Sequence, residues 1–422
     1  MKYINLFFLL SVLAPMAVRA NGVSGIGDTV VPFQRIYDAV QKQPQLYDSD
    51  FVFLLGERVA DKNYTLQKVA QACIDYAAYN NAVTKDICKE FVATAFGPSD
   101  VATESGGSVT DGVILTTTND MPAEAEIKIT IYAAGQFNVD CDNGKPAHTI
   151  DNTTIKIENI KCEYDAGGVH NIKITGLATN YPPYDDEHSR QGVIYFNGSE
   201  YLESVQGSLG SIFPTLDDGK RPTFAHAFDL CTNLTTIPPD LFKGVTGAAE
   251  GMFRSTFADC TNLTEIPTGL FSNVNGAADF MFFGTFQNCT SLATIHGDLF
   301  SGVTGKADGM FRATFYGCSA LTDIPDGLFS NVNGAAAEMF NVTFCGCSAL
   351  TKIPNGLFDG VNAAAAKMFY GTFYGCSELT TIPDGLFDGV TGAANKMFDY
   401  TFYGVPDAVI PGDVKDKIAE YN

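Results

Sequence analysis

The sequence predicts an α/β solenoid of 29-residue units, preceded by a small all-β sandwich and an N-terminal helical segment. Three observations predict it. A repeat runs six times without insertion from Thr223 to Lys396, apolar residues alternate with period two from about Val113 to Val205, and helical spacing dominates nearer the N-terminus. With 45% hydrophobic and 18% charged residues over 422 positions, the chain is too apolar for disorder. Its 26 Lys and Arg against 48 Asp and Glu give a net charge of −22, which opposes binding to nucleic acid, whose affinity comes from cations meeting phosphates.

Residues 1–20 read as a secretory signal peptide, with Lys2, an apolar run from Ile4 to about Leu13, and the small residues Val18 and Ala20 at the exit. The run is too short to span a bilayer and Pro15 interrupts it, so no transmembrane segment is expected and the chain is expected to be exported: secreted, periplasmic or at the cell surface. Residues 21–96 are expected to be helical, from the spacing of Phe33, Ile36, Tyr37 and Val40, then of Leu66, Val69, Ala70, Cys73 and Tyr76. The Gly, Ser and Thr of 97–110 suit a flexible linker.

Over 111–210 the strand signals are Ile127, Ile129 and Ile131, then Phe137 and Val139, then Ile155, Ile157 and Ile160, then Ile172 and Ile174, separated by Gly- and Asn-rich breaks. The stretches AAGQFNVDCDNGKP and CEYDAGGVHNIKITG resemble PKD-like β domains, which implies an antiparallel sandwich there.

From 211 to 422 the repeats are expected to stack, with a terminal cap from Met397, where Val405 replaces the expected Cys. In the second unit Ala248, Ala249, Met252, Phe253, Phe257 and Cys260 fall at helical spacing; Leu263, Ile266 and Pro267 suit a short strand; Gly269, Leu270 and Phe271 suit a turn. A single coil cannot bury its apolar side alone, so stacking is the stable solution. The pattern F-x-x-C-x-x-L-T-x-I-P-x-G-L-F, met at Phe228, Cys231, Leu234 and Ile237 and at every 29th residue to Phe373, Cys376, Leu379 and Ile382, resembles the leucine-rich repeat of the bacterial BspA-like class. That resemblance implies adhesion and contact with host surfaces.

The cysteines fall into groups. Cys231, Cys260, Cys289, Cys318, Cys347 and Cys376 hold one repeat position, and parallel Cβ vectors about 4.8 Å apart exceed the roughly 3.8 Å of a disulfide, so buried thiols are expected. Cys345 is extra to that column and expected at the surface. Cys73 with Cys88, and Cys141 with Cys162, are candidate disulfides.

No catalytic constellation is recognisable. His148, His170, His188, His226 and His296 are scattered, and there is no G-x-S-x-G, H-E-x-x-H or P-loop. Asp140 and Asp142 before Gly144 hint at a calcium loop, but a closing Glu at the right spacing is missing and a hairpin turn is favoured, so no metal or cofactor is assigned. Positions that vary between otherwise identical repeats are the better guide. One column, expected on a strand face, carries Glu265, Asp323 and Lys352; another, reading Ala258, Gln287, Tyr316, Cys345, Tyr374 and Tyr403, becomes aromatic, and Tyr316, Tyr370, Tyr374, Tyr400 and Tyr403 together form a candidate recognition patch or a cover for the array's end. The expected function is a secreted or surface-exposed binding or adhesion protein, not an enzyme, that contacts a protein or glycan. A structural or self-associating envelope protein is the alternative, and a secreted hydrolase the third reading.

Overall fold

The computed structural model describes residue 73 and residues 112–183, 192–197 and 200–421. The chain divides into Met1–Ser108 and Val109–Asn422. In the first unit only Cys73 is described: it is helical, buried and disulfide-bonded. The signal peptide, the helical segment around Cys73, the linker and Cys88 lie outside the described residues.

The second unit begins with strands β1 (Gly112–Thr117), β2 (Glu126–Asp140), β3 (His148–Glu163), β4 (Asn171–Asn180), β5 (Ile194–Asn197) and β6 (Leu202–Gly207). They form one open antiparallel sheet in the order β3-β2-β4-β1-β6, with β5 paired to β2, rather than the two facing sheets of the expected sandwich. Period-two burial is the physical driver: Ile127, Ile129 and Ile131 on β2, and Ile172 and Ile174 on β4, are fully buried. β2 changes partner along its length, pairing β5 at Lys128–Ile131 and β4 from Ala134 to Asp140, with a register shift between Ala134 and Gly135. Gly135 and Gly176 allow that crossing. Both have φ near +140°, and a Cβ on either would lie within 2.3 Å of the other strand's carbonyl oxygen.

The hairpin bends with this shift, so that Cys141, just past the end of β2, meets Cys162, the partner of Ile127 near its start. The two form a disulfide with Cα atoms 5.3 Å apart. At the hairpin tip the carboxylates of Asp140 and Asp142 accept backbone N–H groups from Asp142 and Asn171, which holds the tip as a turn.

The α/β leucine-rich-repeat solenoid expected for the repeats is not what the structure has. Regular secondary structure is mostly antiparallel sheet, and the described residues hold two α-helices beyond the position of Cys73: α1 (Leu209–Ile212) and α2 (Gly412–Tyr421), both outside the six units. The segment expected to be helical is a run of turns. In the fourth unit the N–H groups of Arg312, Thr314, Tyr316 and Cys318 bond the carbonyl three residues back, while those of Phe311, Ala313, Phe315 and Gly317 bond carbonyls of the next unit, at Met339, Asn341, Thr343 and Cys345. Gly309, Ala313 and Gly317 have φ of 58°, 55° and 71°, so every fourth residue is left-handed and an α-helix cannot propagate. The expected strands are likewise reduced to isolated parallel bridges, such as Asp323 to Lys352 and Lys352 to Thr381.

Side chains of like position nonetheless meet from unit to unit. Phe286, Phe315 and Phe344 stack with centroids 5.8 and 5.5 Å apart, and Phe282, Phe311 and Phe340 with centroids 5.6 and 5.7 Å apart. One hydrophobic core runs from Val113 in β1 to Val414 in α2. The sheet closes one end: Phe196 of β5 packs on Phe228 at 5.0 Å, Ser204 of β6 bridges Thr236, and Gly210 of α1 donates to the Leu241 carbonyl. At the other end Val414, Ile418 and Tyr421 of α2 lie against the last turns.

Candidate binding face

The turn run alternates inward and outward side chains. In the fourth unit Met310, Phe311, Thr314, Phe315 and Cys318 point inward and are fully buried and Ala313 is buried as well, which leaves Arg312, Tyr316 and Gly317 for the outer side. The inward polar residues are satisfied across units. Thr314 Oγ1 donates to the Phe282 carbonyl at 2.9 Å and Cys318 Sγ to the Phe286 carbonyl at 3.1 Å, and the same bonds recur at Thr256, Thr285, Thr343, Thr372 and Thr401 and at Cys260, Cys289, Cys347 and Cys376. Burial pushes the thiols of Cys260, Cys289, Cys318 and Cys347 well up, and that of Cys376 to about 12, which keeps them protonated and able to donate. Cys345, expected at the surface, is instead buried, and its thiol is raised by that burial.

The large apolar or aromatic side chains exposed in the repeats are Leu230, Tyr316, Tyr374, Tyr400 and Tyr403, all on the outer side of the turn run. The structure brings four of the five candidate tyrosines together. Tyr374 and Tyr403 stack at 4.9 Å and 15°, Tyr370 meets Tyr400 edge-on at 5.4 Å, and Tyr400 meets Tyr403 edge-on at 6.1 Å. Tyr316 occupies the same column two units away, with Cys345 between it and Tyr374. Glu265, Asp323 and Lys352 are not part of this cluster; they sit in the column of isolated bridges, where Lys352 pairs with Asp323 at 3.3 Å.

A second group on the turn run escaped the sequence reading. The guanidinium groups of Arg254 and Arg312 lie 4.8 and 5.3 Å from the Phe283 ring centroid, and Arg312 and Lys367 both pair with Glu338. The signal was present as Arg254, Phe283 and Arg312 at one repeat position, visible only once that position is known to face outward. Among the described residues no three His, Cys, Asp or Glu side chains are grouped to hold a metal ion, and no helix is long and apolar enough to cross a membrane. Compared with known proteins, the chain matches no family model, no curated protein and no solved structure.

Proposed function

We propose that this is an exported binding protein that uses the outer side of its turn run to contact a protein or glycan. The observation that carries the reading is the mutual contact of Tyr370, Tyr374, Tyr400 and Tyr403 at the surface, where Tyr374 and Tyr403 are 41% and 60% exposed. A monomeric soluble protein gains nothing in stability by exposing a cluster of aromatic rings, and tyrosine offers large contact area with few rotamers to freeze. Export is supported by the N-terminal sequence and by the Cys141–Cys162 disulfide, a bond that persists in oxidising compartments. The test is a protein and glycan array probed with the full chain and with the Tyr316→Ser/Tyr374→Ser variant, after unchanged melting is confirmed. Loss of the array signal in the variant supports the face; an unchanged signal directs attention to the sheet or to the column of Asp323 and Lys352.

A further inference from the structure

The ligand class follows from what the tyrosine cluster offers, given the binding reading above. Phenylalanine fills the inner columns of the repeats, at Phe369, Phe373, Phe398 and Phe402, while the exposed positions beside them are tyrosines. Each exposed ring therefore pairs an apolar face with a hydroxyl that can donate and accept. A ligand complementary to that surface has apolar C–H faces alternating with hydroxyl groups, as a pyranose ring does.

Geometry agrees. Tyr374 and Tyr403 stay 41% and 60% exposed although their rings stack at 4.9 Å, so each leaves ring surface open to a ligand. Their spacing is one unit of the array and close to the length of one sugar residue.

Charge selects further. The two turn segments that carry the cluster, 367–374 and 396–403, hold Lys367, Lys396 and Asp399, and Lys367 is paired with Glu338 at 3.1 Å. Arg312 shares Glu338 with Lys367, so three cations face two anions, an excess of one that is too small to draw a polyanion against the chain's overall −22. We infer that this face binds a neutral polysaccharide, laid along the array and stacked on Tyr374, Tyr400 and Tyr403.

Native affinity electrophoresis of the full chain through gels containing a mixed-linkage β-glucan, a galactomannan, an α-glucan or polygalacturonate tests it. The expected result is retardation in at least one neutral gel, unchanged by added salt. Apparent affinity should fall about tenfold or more in Tyr374→Ala/Tyr403→Ala and by less in Tyr374→Phe/Tyr403→Phe, which keeps the stacking rings and loses only their hydroxyl groups. Retardation in no neutral gel, retardation by polygalacturonate alone, or equal retardation of the alanine variant overturns the inference. If the alanine variant loses a protein ligand found on the array while no polysaccharide is bound, the glycan assignment falls and the binding face stands. If no ligand responds to the substitutions, both fall.

Discussion

The thiol of Cys318 donates to the carbonyl of Phe286, one unit back in sequence, at 3.1 Å, so a residue expected only to fill space also ties two units together. Cys318→Ala should cost about 1–2 kcal/mol, because it removes that bond, leaving the Phe286 carbonyl the Cys289 N–H at 3.2 Å, and opens a small cavity. Urea denaturation of the variant measures it, and a loss below measurement error would show the bond to be energetically idle.

The raised thiols set a pH dependence. An unfolded thiol titrates near about 8.5, whereas the buried Cys260, Cys289, Cys318, Cys347 and Cys376 hold their protons higher, as burial also makes Tyr164 and Tyr181 do. Their contribution is therefore complete below about pH 8.5 and is lost as pH rises, since the unfolded chain sheds protons that the folded chain keeps. Melting temperature should fall progressively above that pH, with a shallower slope in a variant carrying Cys318→Ser and Cys347→Ser. Iodoacetamide at mildly alkaline pH should leave these thiols unlabelled until the protein is unfolded.

Phe315 is fully buried between Phe286 and Phe344. Phe315→Ala should cost about 3–5 kcal/mol through the cavity it leaves. Chemical denaturation showing less than about 1 kcal/mol would contradict the stacked column.

Gly309 and Lys396 occupy the same repeat position with φ of 58° and 55°. Lys396→Gly should raise stability by about 0.5–1 kcal/mol by relieving the left-handed strain. Gly309→Ala should lower it, because the new Cβ would lie 2.5 Å from the Phe280 ring. Opposite signs in thermal melts are expected; equal signs would place the position in another conformation.

Reduction of Cys141–Cys162 should destabilise the sheet by about 3 kcal/mol, since the bond closes a loop with a sequence separation of 21. Mass spectrometry of the unreduced protein should find this bond and none between neighbouring members of the buried column.

The inward residues were legible because packing fixes them at one period: Phe257, Cys260, Leu263 and Ile266 were marked in the sequence and all are buried. The backbone was misread because apolar residues three and four apart suit an α-helix and a run of four-residue turns equally. Glycine held the distinction. Gly309 at the end of the third unit and Gly317 in the fourth, and Gly371 and Gly375 in the sixth, fall on the fourfold steps where the backbone is left-handed, a pattern no helix tolerates. The threonine ladder had its own signal, an unvarying Thr before the Phe of each unit from Thr256 to Thr401, in a setting otherwise apolar. Tyr316, Tyr374 and Tyr403 were legible because they vary at one fixed position, whereas Tyr370 and Tyr400 lie at neighbouring repeat positions and join that column only through the fold. The Arg254, Phe283 and Arg312 group needed the turn geometry to be seen.

Hydrogen bonds leave each unit in both directions: Phe311 N–H donates forward to Met339, while Cys318 and Thr314 donate backward to Phe286 and Phe282. Every junction is therefore chemically alike, and neither the sheet at one end nor α2 at the other depends on how many lie between. Unequal recombination that adds or removes a whole unit would leave both ends with the neighbours they already have. A change in unit number would therefore alter how many turn runs are tied together while the chemistry of each tie stays the same.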